Sequence, residues 1–174
     1  MHVTLAMVIS LDGKTTKASV ADSGDWASPE DQTVFRELIA SHDMVVMGSA
    51  TYKTVRERLR PNTKNPRVIL TRTPEKYADD VRPGLTFTND SPEELIARAR
   101  KDDQSVLLVG GSQTNARFFD AGMIDELFVT IEPHLFGTGL PFTAALQHPC
   151  ALTLLSVKQL NEAGTLLLHY RVTK

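Results

Sequence analysis

The segment Val106-Leu-Leu-Val-Gly-Gly-Ser-Gln-Thr-Asn115 constrains the fold of this chain more than any other stretch. A short apolar run ends in adjacent glycines, and a polar turn then opens into Ala116-Arg-Phe-Phe119. A strand apolar at every position is buried on both faces, so it needs helices above and below it. The turn after it brings free backbone N–H groups and the positive end of a helix dipole to one point, and such a point binds phosphate. Met44-Val-Val-Met47, then Gly48, then a helical stretch from Ala50 to Leu59 repeat the same order.

The rest of the chain extends this pattern. His2 to Ser10 reads as a first strand. Ser28-Pro-Glu-Asp31 starts a helix, with Ser28 as N-cap, Pro29 at the first helical position and Phe35, Leu38 and Ile39 as its apolar stripe. Pro61 to Pro66 is a loop, and Arg67 to Thr71 and Leu85 to Thr88 are strands. Asp90 or Ser91 caps a helix that runs from Pro92 to about Lys101. The helix after Gly111 continues to about Ala121 and closes at Gly122. Ile124 to Glu132 is a strand, and Leu152 to Leu160 and Thr165 to Val172 pair around the Asn161-Glu-Ala-Gly164 turn. The expectation is one three-layer α/β domain over residues 1–174, with a mostly parallel sheet, an antiparallel C-terminal hairpin and helices on both faces.

Composition narrows the function. Lys and Arg number 19 against 21 Asp and Glu, so the net charge is -2 and no basic face favours nucleic acid. Cys150 is the only cysteine, as suits a reducing compartment. No membrane span or basic leader is evident, and the expectation is a soluble cytoplasmic protein. Gly13-Lys-Thr15 lacks the first glycine of a P-loop, no G-x-G-x-x-G follows the first strand, and no G-x-S-x-G elbow occurs. The scattered histidines form no metal motif, so no metal is expected.

Ligands of parallel sheets bind at the carboxyl ends of the strands. Three turns there suit phosphate: Gly48-Ser-Ala-Thr51, Thr71-Arg72-Thr73 and Gly110-Gly111. Arg72 can grip phosphate bidentately. Three such turns along one sheet edge suit an elongated polyanion, such as a dinucleotide with a 2′-phosphate. A second group comprises Asp12, Lys14, Trp26 and Asp31. Gly13 has a ready explanation as turn chemistry and Asp31 as a helix-capping acid. Trp26 either plugs the core or walls a flat pocket. Leu135-Phe-Gly-Thr-Gly-Leu-Pro-Phe142 reads slightly better as a structural bend than as a ligand loop.

Ser10-Leu-Asp-Gly-Lys14, Val109-Gly-Gly with Phe118-Phe-Asp-Ala-Gly-Met-Ile-Asp-Glu-Leu127, and Pro133-His-Leu-Phe-Gly-Thr-Gly139 fall in the order and spacing of a known family. Together they resemble the dihydrofolate reductase-like superfamily, and most of all the reductase (C-terminal) domain of the bifunctional riboflavin biosynthesis deaminase-reductase. The likeness spans nearly the whole chain but includes no deaminase domain. Trp26-Ala-Ser-Pro-Glu-Asp31 and Val46-Met-Gly-Ser-Ala-Thr-Tyr52 are closer to dihydrofolate reductase itself, as is Leu70-Thr-Arg72, which resembles its 2′-phosphate turn. The resemblance implies that Gly48, Thr51, Thr71, Arg72, Gly110, Gly111, Ser112, Gln113 and Thr114 bind NADPH. Its pyrophosphate would lie near Gly110-Gly111 and its 2′-phosphate near Thr51 and Arg72. The resemblance also implies a homodimer. Two departures bear on substrate: Val109 stands where the riboflavin enzymes usually carry glutamate, and their Asp-Pro-x-Leu-Thr-x-Arg segment is missing around Leu59 to Pro66.

The implied activity is NADPH-dependent reduction of a ribosylaminopyrimidine, as in the 5-amino-6-(5-phosphoribosylamino)uracil reductase step. Dihydrofolate or pteridine reduction is the alternative, and a non-catalytic NADPH-binding module is a third reading of another class. Reduction of a C=N bond needs a proton as well as a hydride, and Asp12 and Asp31 are the candidate catalytic acids. Ser10, Asp12, Lys14 and Trp26 are the candidate substrate contacts. The dipole of its helix is expected to lower the pKa of Asp31.

Overall fold

The computed structural model describes residues 2–18 and 25–173. Its strands are β1 (Val3–Ser10), β2 (Met44–Gly48), β3 (Arg67–Leu70), β4 (Leu85–Thr88), β5 (Val106–Leu108), β6 (Glu126–Glu132), β7 (Ala151–Gln159) and β8 (Leu166–Thr173). The helices are α1 (Pro29–Ala40), α2 (Ser49–Val55), α3 (Pro92–Lys101) and α4 (Ser112–Asp120). One sheet orders the strands β4-β3-β2-β5-β1-β6-β8-β7. Pairing is parallel from β4 through to β6. β8 then runs antiparallel to β6 and to the edge strand β7. The expected α/β architecture is the one observed.

Alternation along the strands divides the core in two. Leu5, Val46, Val68, Leu70 and Leu108 point to the face covered by α3 and α4, where they meet Leu95, Ile96 and Phe118. Ala6, Val45, Met47, Ile69 and Leu107 point to the opposite face, against Tyr52 of α2 and Phe35, Leu38 and Ile39 of α1. The central strands are therefore apolar at successive positions because both faces are covered. Burying each such Leu or Ile contributes roughly 1.5–3 kcal/mol.

Helix starts follow their sequence signals. The Ser28 hydroxyl accepts from the Asp31 amide (3.2 Å) at the start of α1. Ser91, not Asp90, caps α3, in a capping box with Glu94. After α4, Gly122 takes the left-handed φ of +64° that lets the chain leave the helix.

Most element ends fall within a residue of expectation, but two boundaries differ by more and one element was not expected. α2 stops at Val55, short of Leu59. Arg56, just beyond it, is drawn into an ion pair with Asp80. β6 begins at Glu126, because Asp125 turns to accept from the Val3 amide (3.0 Å). A 3-10 helix at Pro74–Asp80 has no apolar periodicity to announce it. Tertiary contacts hold it: Tyr77 stacks on Phe87 at 4.8 Å, and Asp80 accepts from the Tyr52 hydroxyl (3.0 Å).

Candidate functional site

A cleft of about 900 Å³ opens along the carboxyl ends of the strands. Gly48, Thr51, Thr71, Arg72, Gly111, Ser112, Gln113 and Thr114 all line it. Gly110 stands just behind, its carbonyl accepting from the Gly48 amide (2.8 Å). The two strand-glycine-helix units read from the sequence therefore meet at one place.

How they meet is chemically informative. α1 and α3 begin with serine caps, whereas α2 and α4 begin at Gly48 and Gly111 with no side-chain cap. The first N–H groups of both helices are thus left for a ligand, beside the cleft and at the positive dipole ends. The glycines are also required by space. A Cβ on Gly48 would collide with the Thr114 hydroxyl, and one on Gly111 would lie 3.1 Å from the Thr51 hydroxyl. Thr51 accordingly faces Gly111, within the cradle formed by the two helix starts.

Arg72 belongs to a neighbouring part of the cleft. With Ser49, Thr71 and Thr73 it borders a recess also lined by Lys53 and Lys76. The sequence does not single out either lysine, because Lys53 lies on a helix whose facing depends on tertiary packing and Lys76 on the unannounced 3-10 helix. The recess gathers three cations and several hydroxyls, a set that suits a phosphate dianion.

The other end of the cleft is acidic and apolar. Asp31 lines it with Ala27, Val34, Phe35, Phe128, Thr130, Leu140 and Leu167. Asp31 is only 8% exposed. Burial pushes its carboxyl pKa up, the Thr130 hydroxyl opposes this by hydrogen bonding, and the nearby Glu132 charge adds to the rise. This corrects the expectation from the helix dipole: desolvation outweighs the field of the helix start. A carboxyl so placed can hold a proton at higher pH than an exposed one.

Asp12, expected as a candidate acid, lies outside the lining of the cleft. Its Oδ1 accepts from the Ser10 hydroxyl (2.6 Å) and the Phe136 amide (3.1 Å), and its Oδ2 accepts from the Gly137 amide (2.8 Å). These bonds, the Ser10 hydroxyl first, hold its pKa down at about 2. Ser10 is fully buried and also accepts from the Lys14 amide (3.0 Å). Ser10, Asp12 and Lys14 do not line the cleft; they stitch the turn after β1 to the loop after β6. The chain around Leu135 to Phe142 is accordingly a clamped structural loop, and only Leu140 of it reaches the cleft.

Trp26 packs edge-on to Phe136, with ring centroids 5.0 Å apart, and is 9% exposed. It fills the space behind the cleft instead of forming its wall. Its buried indole N–H has no hydrogen-bond partner among the described residues.

Thr130 and Glu132 were missed in the sequence. The signal was available: in a strand, Phe128, Thr130 and Glu132 share one face, and that face turns to α1. Among the described residues no cluster of side chains could hold a metal ion, and no helix is long and apolar enough to cross a membrane.

The chain is similar to several known proteins. Uncharacterized protein YwjB of Bacillus subtilis (strain 168) is 27% identical over 172 residues, covering 95% of each chain. The diaminohydroxyphosphoribosylaminopyrimidine deaminase/5-amino-6-(5-phosphoribosylamino)uracil reductase of Thermotoga maritima superposes with a TM-score of 0.76 at 21% identity, over 99% of this chain and 56% of that one. Dihydrofolate reductase from Enterococcus faecalis, solved with NADP(H), superposes with a TM-score of 0.70 at 20% identity, over 99% and 97% of the two chains. At such identities the two structures establish a common dihydrofolate reductase-like fold. Residues 1–166 match the RibD C-terminal domain family, and the chain belongs to that family.

Proposed function

We propose that this chain is an NADPH-dependent reductase of a C=N bond in an aminopyrimidine-type substrate, such as a ribosylaminopyrimidine. The observation that carries this reading is the convergence of two uncapped helix starts with the Arg72 recess in one cleft that ends at a buried acid. Gly48, Thr51, Gly111, Ser112, Gln113 and Thr114 would hold the cofactor pyrophosphate through backbone N–H groups and hydroxyls. Arg72, helped by Thr71, Lys53 and Lys76, would hold the 2′-phosphate. When bound, NADPH supplies the hydride. Gly110 fixes the turn from behind. This allocation moves Thr51 from the 2′-phosphate to the pyrophosphate.

Asp31 supplies the proton. Its raised pKa suits a general acid, it is buried among apolar side chains, and the Thr130 hydroxyl orients it. Asp12 and Lys14 support the site by holding the loops that frame it, and Trp26 by packing behind it. Activity is expected to fall as pH rises through the Asp31 pKa, because the acid form is the donor.

A second reading, reduction of dihydrofolate or a pteridine, is favoured by a specific observation. The cations that line the cleft are Arg72 and Arg117; among the described residues none lines the end around Asp31. A substrate phosphate would find no cationic side chain on those walls, whereas a ring bearing N–H donors would find the Asp31 carboxyl. NADPH oxidation measured side by side with 5-amino-6-(5-phosphoribosylamino)uracil and with dihydrofolate decides between the readings. NADPH binding without turnover of either would support a non-catalytic binding module.

The working form proposed is a cytoplasmic homodimer. Leu152, Leu154, Leu155 and Val157 of edge strand β7 are 42%, 50%, 38% and 54% exposed, an apolar strip that a second copy would cover.

A further inference from the structure

Glu132 is 2% exposed and is spoken for at both oxygens. Its Oε1 accepts from the Ser28 amide (2.7 Å), and its Oε2 accepts from the Thr165 hydroxyl (2.6 Å). Both carboxyl oxygens are thus satisfied. A buried carboxyl group is costly to desolvate, so its place in the fold calls for a reason.

The neighbouring bonds supply one. Ser28 caps α1 by accepting from the Asp31 amide, so the residue that Glu132 grips is also the residue that fixes the first turn carrying Asp31. On the far side, Asn161 of the β7–β8 turn donates to the Thr165 hydroxyl (3.0 Å) and to Glu30 of α1 (3.1 Å). The start of α1 is thereby tied both to the sheet and to the hairpin. On β6, Glu132 lies two residues from Thr130, on the same face of the strand, so one strand presents both a hydroxyl and a charge to the Asp31 carboxyl.

We propose that Glu132 is a positioning residue for Asp31, through the hydrogen bonds that fix the start of α1 and through the negative charge it places behind the Asp31 carboxyl. This rests on the reading of Asp31 as proton donor. The charged groups around Asp31 are few. Glu132 on β6 acts on it directly; Glu30, on its own helix, is turned toward Asn161; the hairpin contributes only the uncharged Asn161 and Thr165. Among the described residues no cation lines this end of the cleft, and the Glu132 charge works with burial to keep the proton on Asp31.

The test is a ligand-free titration of the full chain labelled with ¹³C at Asp γ and Glu δ carbons, with Asp31 assigned by its loss in Asp31→Asn. In the native protein, the Glu132 resonance is expected to register a step at the Asp31 midpoint. In Glu132→Gln, which keeps an acceptor for the Ser28 amide, the Asp31 midpoint is expected to shift down. An unshifted midpoint in Glu132→Gln, or a Glu132 resonance blind to the Asp31 step, overturns the proposal. The Glu132 readout, with Glu132 assigned by through-bond correlation, does not depend on Glu132→Gln, so it decides even if that variant fails to fold. Because no substrate or cofactor is present, failure of the reductase reading leaves the titration result intact. With a turned-over substrate, the alkaline limb of NADPH oxidation should move to lower pH in Glu132→Gln at unchanged NADPH affinity. A weakened NADPH affinity with an unmoved pH profile would mark a purely structural residue and sink the proposal.

Discussion

Asp31 and Asp12 are both carboxyl groups beside turns, yet their surroundings drive them in opposite directions. Asp31 is desolvated and its folded pKa is raised, so its favourable contribution to stability is complete below the ordinary value of 3.8 and is lost as pH rises through the folded value. Asp31→Asn should therefore be more stable than the native protein at neutral pH, by roughly 1 kcal/mol, or about 2–4 °C in Tm. The same variant should lose about 10²–10⁴-fold in kcat/KM at unchanged NADPH affinity, as steady-state kinetics and cofactor titration would read out. Asp12 is depressed to about 2, so its contribution is present above the ordinary carboxyl value and is lost as pH falls through about 2. Asp12→Asn should speed hydrogen exchange at the Phe136 and Gly137 amides, while a direct catalytic role would instead show as lost turnover with unaltered exchange.

At the scale of elements, α1 and α3 begin with serine caps while α2 and α4 begin at glycines without side-chain caps, and the proposed cofactor site uses the latter pair. Gly48→Ala would drive a methyl group into the Thr114 hydroxyl and force the starts of α2 and α4 apart. A cost of about 1–3 kcal/mol in stability is expected from denaturant titration, with NADPH affinity lost as well. If Arg72 holds the 2′-phosphate as proposed, Arg72→Ala removes a charge-assisted contact of roughly 1.5–3 kcal/mol. It should raise KM for NADPH about ten- to hundredfold and leave KM for NADH nearly unchanged. Equal effects on both cofactors would remove Arg72 from the 2′-phosphate site.

At the scale of the whole molecule, the sheet has unlike edges. β4 is short and lies beside the 3-10 helix, whereas β7 is longer and exposed throughout. A long apolar edge invites pairing. Sedimentation equilibrium should give twice the 19.2 kDa chain mass, and Leu154→Asp should return the single-chain mass without altering the far-UV spectrum. A native protein that sediments as a single chain would refute the dimer.

Much of this fold is local and was legible in the residues. Apolar runs closed by Gly48 and Gly110, the Ser-Pro starts of α1 and α3, and the turn at Asn161 to Gly164 are short-range signals, and the elements they announce form where expected. That the turns at Gly48, Thr71 and Gly111 meet along one cleft was legible for the same reason, since the topology of a parallel sheet delivers its strand ends to one edge. The 3-10 helix and the early end of α2 were not, because Asp80 and Tyr77 act on Arg56, Tyr52 and Phe87 across the fold. The acids show the limit most clearly. Local residue order is enough to place Asp12 after a strand and Asp31 at a helix start. It takes the packed fold to clamp Asp12 with three donors outside the cleft and to bury Asp31 in it beside Thr130 and Glu132. Protonation depends on desolvation and on charges brought near through space, and neither quantity is written in the order of residues along one element.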